Sequence, residues 1–194
     1  MKLLPAALLI TLTSTALAQD RPRTELFAGY SFERIAPCGT STTYAHGTSC
    51  GLELGELQSS TTNYNGWNAS LTSYFLRFVG VTADFSGHYG SINGGISTLR
   101  YSFLFGPSVA VPLLRLKPFA HALFGVERQN GGGLDNLFSF TKPMIALGGG
   151  VDMDVSKRFA LRVGQLDYEW QRNPTGGLPS ATGLRFSGGV VFRF

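Results

Sequence analysis

The chain has 194 residues and a formal net charge of +4, with 14% charged and 12% aromatic residues. That charge content lies well below the roughly 25% usual for soluble domains. Apart from the adjacent Lys157 and Arg158, the Lys and Arg residues stand singly among acids, without a stripe or cluster along the sequence, which argues against nucleic acid as a partner.

The amino terminus reads as a secretory signal. Lys2 is a positive n-region, Leu3 to Ile10 begins an apolar h-region, and Ala16-Leu17-Ala18 is an A-x-A cleavage site. A membrane-spanning helix is the alternative, but the stretch is barely long enough and is cut by threonines and a serine. The expected division is residues 1–18 as signal peptide and 19–194 as one exported domain. No later apolar run is long enough for a helical span.

Beyond the signal, periodic stretches of roughly ten residues, the length of a membrane-spanning strand, alternate with connectors. The first strand, about Glu25 to Arg34, sets Leu26, Ala28, Tyr30 and Phe32 against Glu25, Ser31 and Glu33. A polar connector follows, about Ile35 to Asn65, holding Cys38 and Cys50, the two cysteines of the chain. In an exported protein an even pair reads as a disulfide, closing a loop worth about 3 kcal/mol in the chain-entropy model. Two free thiols or a metal pair are the alternatives. The sequence has no CxxC, and His46 alone among the histidines lies between the cysteines.

Strand two, about Gly66 to Leu76, sets Trp67, Ala69, Leu71 and Phe75 against Asn68, Ser70, Thr72 and Tyr74. After a turn near Arg77, strand three sets Val79, Val81, Ala83 and Phe85 against Thr82, Asp84 and Ser86. A connector from Gly87 to Ser97 leads to strand four, about Thr98 to Ser108, with Leu99, Tyr101, Phe103 and Phe105 against Arg100, Ser102 and Gly106. Ala110 to Leu116 is a short link. Strand five, about Lys117 to Val126, sets Ala120, Ala122, Phe124 and Val126 against Lys117, His121 and Gly125, which leaves Phe119 and Leu123 on the polar side. A loop near Arg128 to Ser139 follows.

Strand six, about Phe140 to Met153, sets Ile145, Leu147, Val151 and Met153 against Lys142, Gly148, Gly150 and Asp152. The turn 155–158 leads to strand seven, about Phe159 to Trp170, with Leu166, Tyr168 and Trp170 opposite Gln165, Asp167 and Glu169. Strict alternation would put Arg162 among the apolar residues, so a bulge is expected near Val163-Gly164. After a loop from Gln171 to Ala181, the last strand sorts Leu184, Phe186, Gly188, Val190, Phe192 and Phe194 from Arg185, Ser187, Gly189, Val191 and Arg193.

Strand side chains alternate between faces, and eight such strands with long and short connectors in rotation imply an all-β, antiparallel up-and-down barrel. Eight strands enclose an interior just wide enough for side chains. Several aromatics from each strand would not fit there; Ser, Thr, Gly and paired charges would. The apolar face therefore meets lipid, with aromatic girdles at both interfaces. The expected location is the bacterial outer membrane, with its lipids and lipopolysaccharide as neighbours, long loops outside and short turns in the periplasm. The interior then holds Glu25, Glu33, Asp84, Asp152, Asp167 and Glu169 with Arg100, Lys117, Lys142, Arg185 and Arg193. These form either a salt-bridge plug or an ion path, and the narrow lumen favours the plug.

The segments Glu25-Leu26-Phe27-Ala28-Gly29-Tyr30-Ser31-Phe32, Phe103-Leu104-Phe105-Gly106-Pro107, Pro118-Phe119-Ala120-His121-Ala122-Leu123-Phe124-Gly125 and Gly148-Gly149-Gly150-Val151-Asp152, with the terminal run, resemble the OmpA-like outer-membrane β-barrel family. The resemblance implies insertion by the outer-membrane barrel assembly machinery through the carboxy-terminal strand, with Phe192 and Phe194 as its signal. Wall anchoring through a further domain is not implied.

The chain has three histidines that could serve as a catalytic base, His46, His88 and His121. None has the His-x-Ser pattern of lipid A deacylases, and GxSxG, HExxH and P-loop patterns are absent. The expectation is a non-enzymatic barrel without cofactor, structural or surface-interacting, whose loop 36–64 meets an extracellular ligand. A small channel and a lipid A-modifying enzyme are the alternatives.

Overall fold

A computed structural model describes residues 24–37, 62–92, 96–131, 138–172 and 181–194. The signal segment and both cysteines lie outside these residues. The chain forms a closed antiparallel barrel in sequence order: β1 (Thr24–Pro37), β2 (Thr62–Tyr74), β3 (Val79–Ile92), β4 (Ile96–Ala110), β5 (Leu116–Gly131), β6 (Phe138–Asp154), β7 (Phe159–Gln171) and β8 (Ala181–Arg193). Closure comes from β1 pairing with β8, with Glu25 opposite Arg193 and Glu33 opposite Arg185. Thr24 and Phe194 exchange backbone hydrogen bonds at 3.3 and 3.1 Å, carrying the seam to the rim. Every strand thus has two partners, so no sheet edge is left to meet lipid unpaired.

The two faces sort as the alternation dictates. Along β7 the residues alternate between exposed and buried from Phe159 to Arg162, and again from Gln165 to Gln171. Exposed Leu26, Leu71, Val81, Phe103, Phe124 and Leu147 form part of a continuous outward apolar band. Aromatic side chains border it. Within the band the Phe105 and Phe124 rings lie 4.2 Å apart, and at its short-turn border Phe192 contacts both Phe159 and Phe194. At the other border Tyr30 donates to Asn65 at 2.5 Å and Trp67 Nε1 donates to the Tyr89 hydroxyl at 3.3 Å. Both are polar tips on apolar rings, the pattern of an interfacial belt.

The expected bulge is present. Val151 pairs with Gly164 and Asp152 with Arg162, while on the other side Arg162 pairs with Gly189 and Gln165 with Ser187. One extra residue in β7 keeps Leu161 outside and turns Arg162 into the lumen, where it is 6% exposed. Deleting Val163 takes out the surplus residue and leaves a regular ladder in which Arg162 and Gln165 still face inward, opposite Asp152 and Gly150. We expect such a variant to keep the heat-modifiable band of a folded barrel on gels; loss of that band would count against Val163 as the bulged residue.

The strands run longer than the periodic stretches suggested. The connector expected from Gly87 to Ser97 is mostly strand: Tyr89 pairs with Leu99, Gly90 with Thr98 and Ser91 with Ser97, leaving 93–95 as the link. Likewise β5 and β6 stay paired to Gly131 and Phe138. Glycine and serine weaken a strand's intrinsic preference, but a ladder already in register extends through them while backbone groups can pair. Long and short links therefore do not rotate strictly, because the β3–β4 link is as short as the turns at the opposite end.

Candidate functional site: the barrel lumen

The inward side chains build one polar column, tied across the lumen at successive heights. At the short-turn end, Glu25 on β1 receives hydrogen bonds from Lys117 of β5 at 2.6 Å and from Arg193 of β8 at 2.7 Å. Arg193 also reaches Asp154 at 2.6 Å. β1 and β5 stand opposite each other in the barrel, so the Glu25–Lys117 pair spans its full width.

Above this tie, Arg162 bonds both oxygens of Asp152 at 2.7 and 3.2 Å and donates to Gln165 at 2.7 Å. Its guanidinium lies between two rings, 4.2 Å from Phe27 and 4.1 Å from Phe119. Phe119 points inward because a buried cation needs an electron-rich cover as well as an anion. Phe27 continues into a small apolar cluster with Ala160 and Val191.

The middle of the column centres on Arg185, which is 0% exposed. It donates to Asp167 from two nitrogens at 3.0 and 2.8 Å, to Asp84 at 3.0 Å and to Ser86 at 3.2 Å. Glu169 lies 3.1 Å from its Nε. Asp167 is held further by Gln165 at 2.7 Å and His121 at 2.9 Å, and Asp84 by Asn68 at 2.8 Å. Gly148 makes this possible, because a β-carbon there would collide with the Asp167 carboxylate. One wall beside this hub is apolar, formed by Leu104, Leu123, Met144 and Ala146.

Toward the long-loop end, Arg100 lies 3.2 Å from Glu33 and forms a close pair with Glu127, which also accepts from Gln171 at 3.1 Å. Lys142 is buried here, its ammonium 4.7 Å from the Phe140 ring. Glu33, Asp84, Arg100, Lys142, Asp152, Asp167, Arg185 and Arg193 all line the lumen together with Glu25 and Glu169. Three further buried groups belong to the same column. Glu127 directly follows the apparent end of its strand, and His88 falls in what reads as a connector. Arg162 needed the bulge to reach this face.

His88 lies between a hydroxyl and a carboxylate. Its Nε2 is 2.9 Å from Ser31 Oγ, and its Nδ1 is 3.4 Å from Glu33, neither oxygen of which accepts an aligned hydrogen bond. Ser187 donates to Ser31 at 3.1 Å, so Ser31 can in turn donate to His88. The same three groups, when hydrogen-bonded in a chain, activate nucleophiles in hydrolases. Here Ser31 is 0% exposed and Glu33 1%, so a substrate carbonyl has no approach to the hydroxyl. No group of three or more metal-ligating side chains occurs among the described residues.

No protein-family model matches this sequence, and no curated protein matches it significantly. Solved structures do match in fold. Ail, the attachment invasion locus protein of Yersinia pestis, is 16% identical over 90% of this chain and 99% of its own, with a TM-score of 0.55. The same protein solved with the heparin analogue sucrose octasulfate gives 17% identity, 90% and 99% coverage and 0.55. Neisserial surface protein A is 14% identical over 88% of this chain and 97% of its own, with a TM-score of 0.64. At these identities the likeness establishes the fold. Closed strand pairing, the outward apolar band and the polar lumen make this chain an eight-stranded outer-membrane β-barrel of the bacterial cell.

Proposed function

We propose that this barrel is a non-enzymatic, OmpA-like outer-membrane protein whose lumen is a plug and whose long-loop end meets a ligand outside the cell. The plug rests on one observation: ion pairs cross the lumen at several heights, from Glu25–Lys117 to Arg185–Asp84 and Arg100–Glu33. Each buried charge there depends on its partner, so a hydrated ion passing through would have to displace several pairs in succession. In planar bilayers the folded protein should give no resolved single-channel steps; regular steps at neutral pH would favour the small-channel reading instead.

The surface role rests on architecture. With the lumen filled, the parts of the chain free to contact other molecules are its outer surface and its loops. The segment 36–64 is the longest of these, rich in Gly, Ser and Thr, and its first half holds the Cys38–Cys50 pair proposed as a disulfide. It carries Glu53 and Glu56 and no Lys or Arg, so a polysulfated ligand such as that bound by Ail does not suit it. A neutral glycan or a protein surface does. Trimming residues 39–49 should spare folding and abolish binding of the chain to host or neighbouring cell surfaces; loss of folding instead would count against a surface role. Phe192 and Phe194, on the lipid side of the closing strand, are the proposed contact for the assembly machinery.

A further inference from the structure

The turns at the short-turn end are built unlike the water-facing turns of a soluble protein. Three of them, residues 75–78, 111–115 and 155–158, join β2 to β3, β4 to β5 and β6 to β7. Turn residues are usually polar, yet these tips expose Phe75, Leu76, Phe78, Leu113, Leu114 and Val155. The outward apolar band therefore continues past the last strand residues into the turns themselves. The same turns carry Arg77, Arg115, Lys157 and Arg158, all exposed, and no acidic residue.

Leu114 makes the preference plain. Its φ of 54° lies in the left-handed region, where a side chain is strained and glycine is the usual occupant. Leu113 and Leu116 exchange backbone hydrogen bonds at 2.7 and 2.8 Å around it, so the turn is tight. The Leu114 side chain is fully exposed. A strained backbone holding a leucine outward makes physical sense where its surroundings are hydrocarbon rather than water. The turns are also fixed to one another's strands: Ala110 donates to Phe78, Asp154 to Arg115 and Arg193 to Arg158, at 2.9, 2.8 and 2.8 Å. The cations thus sit on a rigid rim. Nearby Asp154 and Glu25 are already paired, with Arg193 and Lys117, and leave the four turn cations without a competing anion in their own turns.

We propose that this rim is a binding site for anionic phospholipid headgroups of the inner leaflet. Leu114, Leu76 and Phe75 enter the acyl boundary, and Arg77, Arg115, Lys157 and Arg158 meet the phosphates. Apolar tips flanked by cations are how peripheral segments hold an anionic interface. The site rests on the proposed periplasmic placement of the short turns in a membrane-spanning barrel.

The test uses the full chain refolded into phosphatidylcholine vesicles containing spin-labelled phosphatidylglycerol or spin-labelled phosphatidylcholine. The motionally restricted fraction should favour phosphatidylglycerol by about three- to tenfold at low ionic strength and lose that preference near 1 M salt, roughly a 3 Å screening length. R77Q/R115Q/K157Q/R158Q should abolish the preference, whereas R128Q/R172Q at the long-loop end should leave it intact. No preference in the parent chain, persistence in the fourfold variant, or equal loss in the long-loop variant would each overturn the site. Trp67 and Trp170, the two tryptophans of the chain, separate this from the underlying reading through quenching by brominated acyl chains. Absent quenching removes the spanning barrel and the site together; quenching without headgroup preference removes the site alone.

Discussion

Replacing Arg185 with methionine should destabilise the barrel by about 3–5 kcal/mol, the range for stripping one partner from a buried ionic cluster. Arg185 is fully buried and serves Asp84, Asp167 and Glu169 at once. Methionine fills much of the volume but leaves three carboxylates around a vacated centre, and their mutual repulsion adds to the lost hydrogen bonds. Reversible urea unfolding in lipid vesicles measures the cost directly. A parallel variant, Glu169→Gln, should behave differently. The Glu169 carboxylate lies within ion-pair distance of Arg185 without aligned hydrogen bonds to either of its oxygens. Removing its charge while keeping its shape should cost under about 1 kcal/mol or be stabilising. Adding D167N to R185M should recover part of the loss, because one of the stranded charges is gone. If R185M costs less than about 1 kcal/mol, the hub is ornamental and buried water or lumen solvent must be carrying the charges.

The same comparison shows what alternation makes legible and what it leaves hidden. Lipid and lumen demand opposite side chains, so each strand states its own parity: Leu184 and Phe186 cannot share an environment with Arg185. Even the irregular place in β7 is readable, since Arg162 one position out of phase requires an extra residue, and that residue is Val163. Strand ends are less legible. Beyond the apolar band both faces meet polar surroundings, the alternation fades, and a segment such as Gly87 to Ser91 reads as loop while its backbone stays paired. His88 and Glu127 fall in that zone. Partner choice is less legible still. Arg100 on β4 meets Glu33 on β1, and Arg185 on β8 meets Asp84 on β3. These pairs depend on strand tilt and on how the barrel closes, so spacing along the chain does not encode them. The grouping of Ser31, His88 and Glu33 is likewise assembled only by closure of the barrel.

The orientation of the two faces is the premise on which the plug, the girdles and the lipid rim all depend, and Leu71 tests it most sharply. It lies outside the barrel on β2, 46% exposed, between Trp67 near one border of the band and Phe75 near the other. Its cross-strand neighbours are Leu26 and Ala83, both on the same outward face. Leu71→Arg should cost about 2–4 kcal/mol in vesicles, the depth-dependent penalty for a cation at the lipid midplane of a barrel. Moving the same arginine to position 89, where Tyr89 stands near the long-loop border, should cost no more than about 1 kcal/mol, because a long side chain there reaches the headgroups. The contrast matters more than either value. A barrel with water outside would accept arginine at both positions almost equally, since surface substitutions typically move stability by about 0.5 kcal/mol or less. Urea midpoints for the two variants, measured against the parent chain at one lipid composition, therefore distinguish a hydrocarbon surround from an aqueous one without reference to any relative.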